Sequence, residues 1–286
     1  MRKAQFLVAG MLVICARVIP GNAAILYGTA RTASPPWDIG DIYKIDTEAK
    51  TSTPLVDISA ALDPDAPPVD PLAADSPNGN ALDSELCRFY FTTFTSPGTP
   101  ANRSGPASQL YYVDLDLDDG GSFVVIWAGA LKWHASDGAF YDDKYWYIGH
   151  GRRSLRAVSF RRDGTIEQDK VVTKIQLPGP KPTFLSFGDI EFDGSGTLYL
   201  TGAIKNQEDQ RVRYVSGTVD IDTGDFDEIG ESPGVYWGQI GFGPDGVLYG
   251  HDAGSGEFYT VDTFDGSVTT IFEDKDRTFT DLASSN

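Results

Sequence analysis

Gly188-Asp189-Ile190-Glu191-Phe192-Asp193-Gly194-Ser195-Gly196 and Gly238-Gln239-Ile240-Gly241-Phe242-Gly243-Pro244-Asp245-Gly246 are two versions of one phrase. Each runs from a glycine through an alternating strand into a Gly/Asp turn. An aromatic-centred strand follows each, Leu198-Tyr199-Leu200 and Leu248-Tyr249-Gly250. A recurring phrase of this kind marks a repeat architecture, one supersecondary unit copied several times. The aromatic strand recurs upstream as Ile25-Leu26-Tyr27, Phe89-Tyr90-Phe91 and Tyr145-Trp146-Tyr147. Its central aromatics are 63, 56, 53 and 50 residues apart, so the period is loose.

An alternating strand follows each aromatic one, at Ile42–Thr47, Leu110–Leu115, Leu155–Phe160, Gly217–Thr223 and Phe258–Thr263. A shorter strand comes next, at Ser52–Ile58, Ser122–Trp127, Lys170–Leu177, Phe226–Gly230 and Val268–Phe272. Four short strands joined by Gly/Asp turns are the composition of a propeller blade. No stretch of ten or more residues after the N-terminal segment shows helical periodicity. A two-sheet sandwich would not repeat a four-strand phrase five times. The ends complement each other: Thr280-Asp281-Leu282-Ala283 reads as an innermost strand with no aromatic strand after it, and Ile25-Leu26-Tyr27 as an aromatic strand with none before it. Joined, they complete one blade and remove the open edge. The predicted fold is all-β: a single propeller of about five four-stranded blades, the first closed by the C-terminal strand, and a monomer.

Residues 1–23 read as an export signal. Arg2 and Lys3 precede an apolar run from Ala4 to Ala16, and Gly21-Asn22-Ala23 offers a small-residue cleavage site. The run is too short to span a bilayer, which takes about 20 apolar residues. The chain is therefore expected to be secreted, extracellular or periplasmic, with residues 24–286 forming the propeller and no insertion into a membrane. A net charge of −18 repels nucleic acid, because it offers no means of neutralising phosphates. Cleavage would remove Cys15 and leave Cys87 as a small buried hydrophobe without a disulfide partner. Asn102-Arg103-Ser104 is a glycosylation sequon.

Several motifs imitate chemistry. Gly241–Gly246 matches GxGxxG but precedes a strand, whereas a dinucleotide loop needs a helix N-terminus. Asp114-Leu115-Asp116-Leu117-Asp118-Asp119-Gly120 lacks the glycine and glutamate of an EF-hand loop and reads as a solvated hairpin turn. His134, His150 and His251 read as ordinary polar residues, and no HExxH occurs.

The units resemble the secreted propellers of the YVTN and NHL type. The likeness rests on Ile45-Asp46-Thr47, Val219-Asp220-Ile221-Asp222-Thr223-Gly224 and Val261-Asp262-Thr263-Phe264-Asp265-Gly266. It spans nearly the whole chain after residue 23 but works at the level of fold, which many functions share. The third unit departs from it, with Arg161-Arg162-Asp163-Gly164 at its turn. A WD40 assignment fails for want of its Gly-His and Trp-Asp pairing.

In a meandering blade the long inter-blade loops and the starts of the innermost strands share one face. Here Arg31–Asp41, Ser59–Gly79, Thr95–Ser108 and Lys205–Arg211 fall on it. Long loops on a rigid scaffold are where binding tends to reside. Aligning the units puts Asn80, Asp137, Asp189, Gln239 and Asp281 in a ring at the channel mouth. These are the candidate ligands for Ca2+, which takes roughly 6–8 oxygens. Two residues beyond the ring three other units carry the small residues Ala139, Gly241 and Ala283, whereas the fourth has Glu191, on the same side as Asp189. Trp37, Trp133, Tyr236 and Trp237 flank this face as candidate ligand-binding aromatics.

Two functions are expected to compete. One is a binding module engaging a glycan or other extracellular ligand through the long-loop face. The alternative is a metal-dependent hydrolase, for which fold-level resemblance to propeller lactonases and five-bladed glycosidases implies Asp137, Asp189, Glu191 and Asp281 as catalytic groups. The binding reading is preferred, because no family motif supports an enzyme.

Overall fold

The computed structural model describes residues 24–31, 41–62, 77–93, 108–116, 122–135, 137–149, 153–177, 183–205, 211–232, 238–274 and 277–284. Twenty strands form five four-stranded antiparallel sheets. The aromatic phrases are the second strands of the blades: β1 (Ile25–Arg31), β5 (Arg88–Thr93), β9 (Lys144–Gly149), β13 (Leu198–Lys205) and β17 (Leu248–Asp252). Inside each lies an innermost strand: β20 (Thr278–Ser284), β4 (Asn78–Asp83), β8 (Ala139–Tyr141), β12 (Thr183–Phe192) and β16 (Gly238–Phe242). The third strands are β2 (Ile42–Asp46), β6 (Gln109–Asp114), β10 (Ser154–Phe160), β14 (Val212–Val219) and β18 (Glu257–Val261). The outermost are β3 (Thr51–Val56), β7 (Val125–Ala130), β11 (Ile166–Lys174), β15 (Phe226–Glu231) and β19 (Val268–Glu273).

The ends close as the sequence predicts. β20 pairs antiparallel with β1, Tyr27 opposite Ala283 and Thr29 opposite Asp281. One sheet therefore contains both the first and last strands of the propeller. The five innermost strands touch in the cyclic order β4, β8, β12, β16, β20, which closes the ring around the channel.

The aromatic strands are buried on both faces because each is flanked by two strands and lies between two blades. Phe89, Phe91, Tyr145 and Tyr147 are fully buried. Stacked pairs such as Tyr90 with Phe160 and Tyr141 with Phe192 join blades or strands within them. Close approach of the chain at the innermost strands explains two glycines. A Cβ on Gly188 would sit 2.7 Å from the Gly238 carbonyl oxygen, and one on Gly138 would sit 2.5 Å from the Gly79 carbonyl oxygen.

The outer boundaries differ from expectation. β14 begins at Val212 and stops at Val219, so the predicted Asp220–Thr223 end is turn, where Asp220 Oδ1 accepts from the Asp222 and Thr223 amides. β11 starts at Ile166, four residues earlier than read. Ile58 belongs to a single helical turn, α1 (Ile58–Ala61), capped by Asp57, rather than to β3. Local side-chain to backbone bonds decide these points, and alternation alone does not register them.

Cys87 is a further correction. It is completely buried as expected, but it is disulfide-bonded. The expectation of no disulfide was made for the chain after removal of residues 1–23. No helix among the described residues is long and apolar enough to cross a membrane. Residues 1–23, Asn102, His150 and the Leu117–Gly120 part of the acidic hairpin lie outside the described residues.

Candidate site at the channel mouth

The five aligned polar residues sit on or just before the innermost strands, Asp189 and Asp281 well inside β12 and β20 rather than at their starts as read, and all are buried. Asn80, Asp189 and Asp281 have no exposed surface, Asp137 is 1% exposed and Gln239 7%. Asp281 Oδ1 accepts from the Leu282 amide at 2.9 Å, while its Oδ2 accepts from the Asn80 amide of the next blade at 2.6 Å. Asp189 repeats the geometry two joints away around the ring. Its Oδ1 accepts from the Ile190 amide at 2.7 Å and its Oδ2 from the Ile240 amide of the next blade at 2.9 Å. Asn80 Nδ2 donates to the Asp281 carbonyl at 2.9 Å. These side chains are joints between blades.

Asp189 and Asp281 also hydrogen-bond each other, which requires one of the two carboxyls to be protonated. Burial first, and then the Asp281 charge, hold Asp189 well above the usual carboxylate range. Asp281 is raised in the same direction, again by burial first. Asp137 Oδ1 accepts from the Ile148 amide at 2.7 Å. Burial pushes it up to about 7 against that bond. Its Oδ2 and the Gln239 Oε1 are buried with no hydrogen-bond partner. Among the described residues no three acids, histidines or cysteines are grouped so as to hold a metal ion.

Glu191, 3% exposed, accepts from its neighbour's amide, Phe192, at 3.0 Å. Burial again raises it well above its ordinary value, and Asp281 adds a smaller push. Trp133 is half-buried and packs beside the core cluster containing Ala135 and Tyr147. Trp37, Tyr236 and Trp237 lie outside the described residues, as does most of the long-loop face.

One layer of the site escaped the sequence reading. Thr29, Thr92 and Thr201 each stand two residues after a central aromatic. Each donates its hydroxyl to a carbonyl of the next blade: Pro77 at 3.0 Å, Ala135 at 3.2 Å and Gly238 at 3.0 Å. The recurrence was visible in Tyr27-Gly28-Thr29, Tyr90-Phe91-Thr92 and Tyr199-Leu200-Thr201. In the fifth blade His251 takes this position, opposite Gln239. Packed against Phe258 and Phe279, with neither ring nitrogen bonded, it is driven down to about 3 by burial and stays neutral.

No family model matches the chain, and no curated protein matches it. Solved structures do. A chain of a nidogen/laminin complex superposes with a TM-score of 0.50 at 12% identity, covering 91% of this chain and 97% of that one. A putative 6-phosphogluconolactonase from Bacteroides uniformis gives 0.44 at 9% identity, covering 90% and 97%. A bifunctional GH43-CE protein from Bacteroides eggerthii gives 0.48 at 12%, covering 92% and 34%. Identities this low speak for fold alone, and the fold is that of the NHL- and YVTN-like propellers.

Proposed function

We propose that the protein is a ligand-binding propeller that takes an extracellular ligand, of glycan type, on the face where the innermost strands begin. The supporting observation is the bonding of Asp189 and Asp281. Each has both oxygens on backbone amides, one of them in the next blade, and the pair shares a proton. Such carboxyls hold blades together. A two-carboxyl hydrolase instead needs acids free to act across one bond, about 5–9.5 Å apart. Trp133, with Trp37, Tyr236 and Trp237, is the proposed aromatic platform, and export through residues 1–23 belongs to the same reading.

Calcium is the finer part of the proposal. Asp137 Oδ2 and Gln239 Oε1 are buried oxygens without partners, the kind of donor Ca2+ takes. Binding at the ring would displace the proton between Asp189 and Asp281. Hydrolysis is the second reading, and Glu191 favours it: a carboxyl that burial raises well above its ordinary value holds its proton more tightly, as a general acid must.

Melting curves across a glycan panel, with Ca2+ or with chelator, test the proposal. A ligand at a hundred times its Kd should add about 2.7 kcal/mol to native stability. Asp137→Asn should abolish the calcium response, and Asp116→Asn, on the hairpin turn, should retain it. Superimposable curves under every condition would count against both parts.

A further inference from the structure

The central aromatics Tyr27, Tyr90, Trp146 and Tyr199 each touch a ring of the next blade. Cross-strand partners share a face of the sheet, so the residue opposite each aromatic fills the same joint further out. Around the propeller that residue is Lys44, Tyr112, Ala157, Thr218 and Thr260. Tyr112 fills its joint with a ring. Arg88 lies over that ring, 4.0 Å from its centroid, and a Cβ on Gly164 of the next blade's β10–β11 turn would sit 2.6 Å from its hydroxyl.

Ala157 is the smallest of the five. One blade on from the Tyr112 ring, the joint beside Ala157 holds a cavity of about 420 Å3. Trp146 and Ala157 line it, and Ile221 of the β14–β15 turn borders it as Gly164 borders Tyr112.

Charge departs from the repeat at the same point. Ala157 pairs with Lys170 on the outermost strand, where the other blades have Thr53, Ile126, Asp227 and Thr269. Lys170 lines the cavity, is exposed, and makes no ion pair among the described residues. Lys144 and Asp142, also at the rim, pair with each other and cancel. Ten of the chain's 23 lysines and arginines, against six acids, fall between residues 132 and 181, although the net charge is −18. This flank attracts anions that the rest of the chain repels.

Size and lining choose the ligand. Cavities of about 300–1,000 Å3 with apolar walls and a few polar groups take small organic molecules. Here the walls are Tyr141, Trp146 and Ile221, and the space is the one that a neighbouring blade fills with its own ring. Aromatic walls favour an aromatic guest, through edge and stacked contacts. We infer that this cleft binds a small aromatic carboxylate, its ring over Ala157 beside Trp146 and its carboxylate at Lys170. The cleft lies on the outer flank between the third and fourth blades and does not depend on the ligand platform proposed at the channel mouth.

Ligand-observed NMR titration of 3-phenylpropanoate into the full chain at low ionic strength is the test. It should fill one saturable site. The uncharged 3-phenylpropanamide should bind about five-fold more weakly, as for the loss of one exposed ion pair. Lys170→Thr, which restores the residue of two other blades, should weaken the carboxylate about five-fold and leave the amide unchanged. Lys174→Thr removes equal charge from the same strand outside the cleft and should keep affinity within about two-fold. Ala157→Tyr supplies the ring from the chain itself and should abolish binding of acid and amide alike. Lys170→Thr, at an exposed position, carries the test should Ala157→Tyr fail to fold. Equal losses in Lys170→Thr and Lys174→Thr would mean general attraction to a basic flank and overturn the inference. So would undiminished binding to a folded Ala157→Tyr, tighter binding of octanoate than of 3-phenylpropanoate, or the absence of a saturable site.

Discussion

In chelator, the protein should lose stability as pH rises through neutrality, and Asp137→Asn should remove much of that loss. Most acids act the other way, being stabilised as carboxylates in the native state. Asp137 is raised from 3.8 to about 7 because it is buried. A carboxyl raised on folding contributes stability in full below its unfolded value and loses it as pH climbs through its folded value. For Asp137 that window is 3.8 to about 7, and each pKa unit is worth 1.36 kcal/mol, or about 4 kcal/mol in all. Asp189, Glu191 and Asp281 are raised in the same direction and extend the decline upward. His251 opposes them on the acid side only. Depressed from 6.5 to about 3, it contributes fully above 6.5 and loses that contribution as pH falls. Asparagine keeps the bond to the Ile148 amide and cannot ionise. At pH 8.5 Asp137→Asn should therefore melt about 10 °C above the parent, the gap closing towards pH 4. Parallel melting profiles for the two proteins would show that Asp137 does not carry the proton assigned to it.

Removing residues 278–286 should abolish cooperative folding. The deletion takes the innermost strand from the first blade and uncovers β1. Phe279 and Leu282 are fully buried, and each such side chain contributes about 1.5–3 kcal/mol. Asp281 goes too, leaving the Asn80 amide and Asp189 without their partner. Set against a total stability of about 5–15 kcal/mol, the loss is decisive. Leu282→Ala, a milder cut at the same joint, should cost about 2–5 kcal/mol in urea titration followed by tryptophan fluorescence. A truncated chain with an unchanged cooperative transition would contradict closure by the C-terminal strand.

The architecture was legible because two regularities survive loose spacing. Period-two alternation marked the strands, and a central aromatic marked the second strand of every blade. The ring was legible for the same reason: once the units are aligned, Asn80, Asp137, Asp189, Gln239 and Asp281 fall at one level. Alignment does not say what such residues bond. That Asp189 reaches the Ile240 amide, or shares a proton with Asp281, depends on the spacing between blades. The threonine layer was written at a fixed offset from each aromatic, but Ile148 and His251 interrupt it in two blades and hide the pattern.

The decisive measurement compares binding with turnover in the parent, Glu191→Gln and Trp133→Ala, over a panel of glycans and lactones. As a binding module, the protein should turn over none of them. Glu191→Gln should then hold affinity within a few-fold, because the amide preserves shape and the buried acid touches no ligand. Trp133→Ala should weaken binding by about 1–3 kcal/mol through lost aromatic burial. Turnover by the parent that disappears in Glu191→Gln while binding persists would contradict the account and make Glu191 the general acid of a hydrolase.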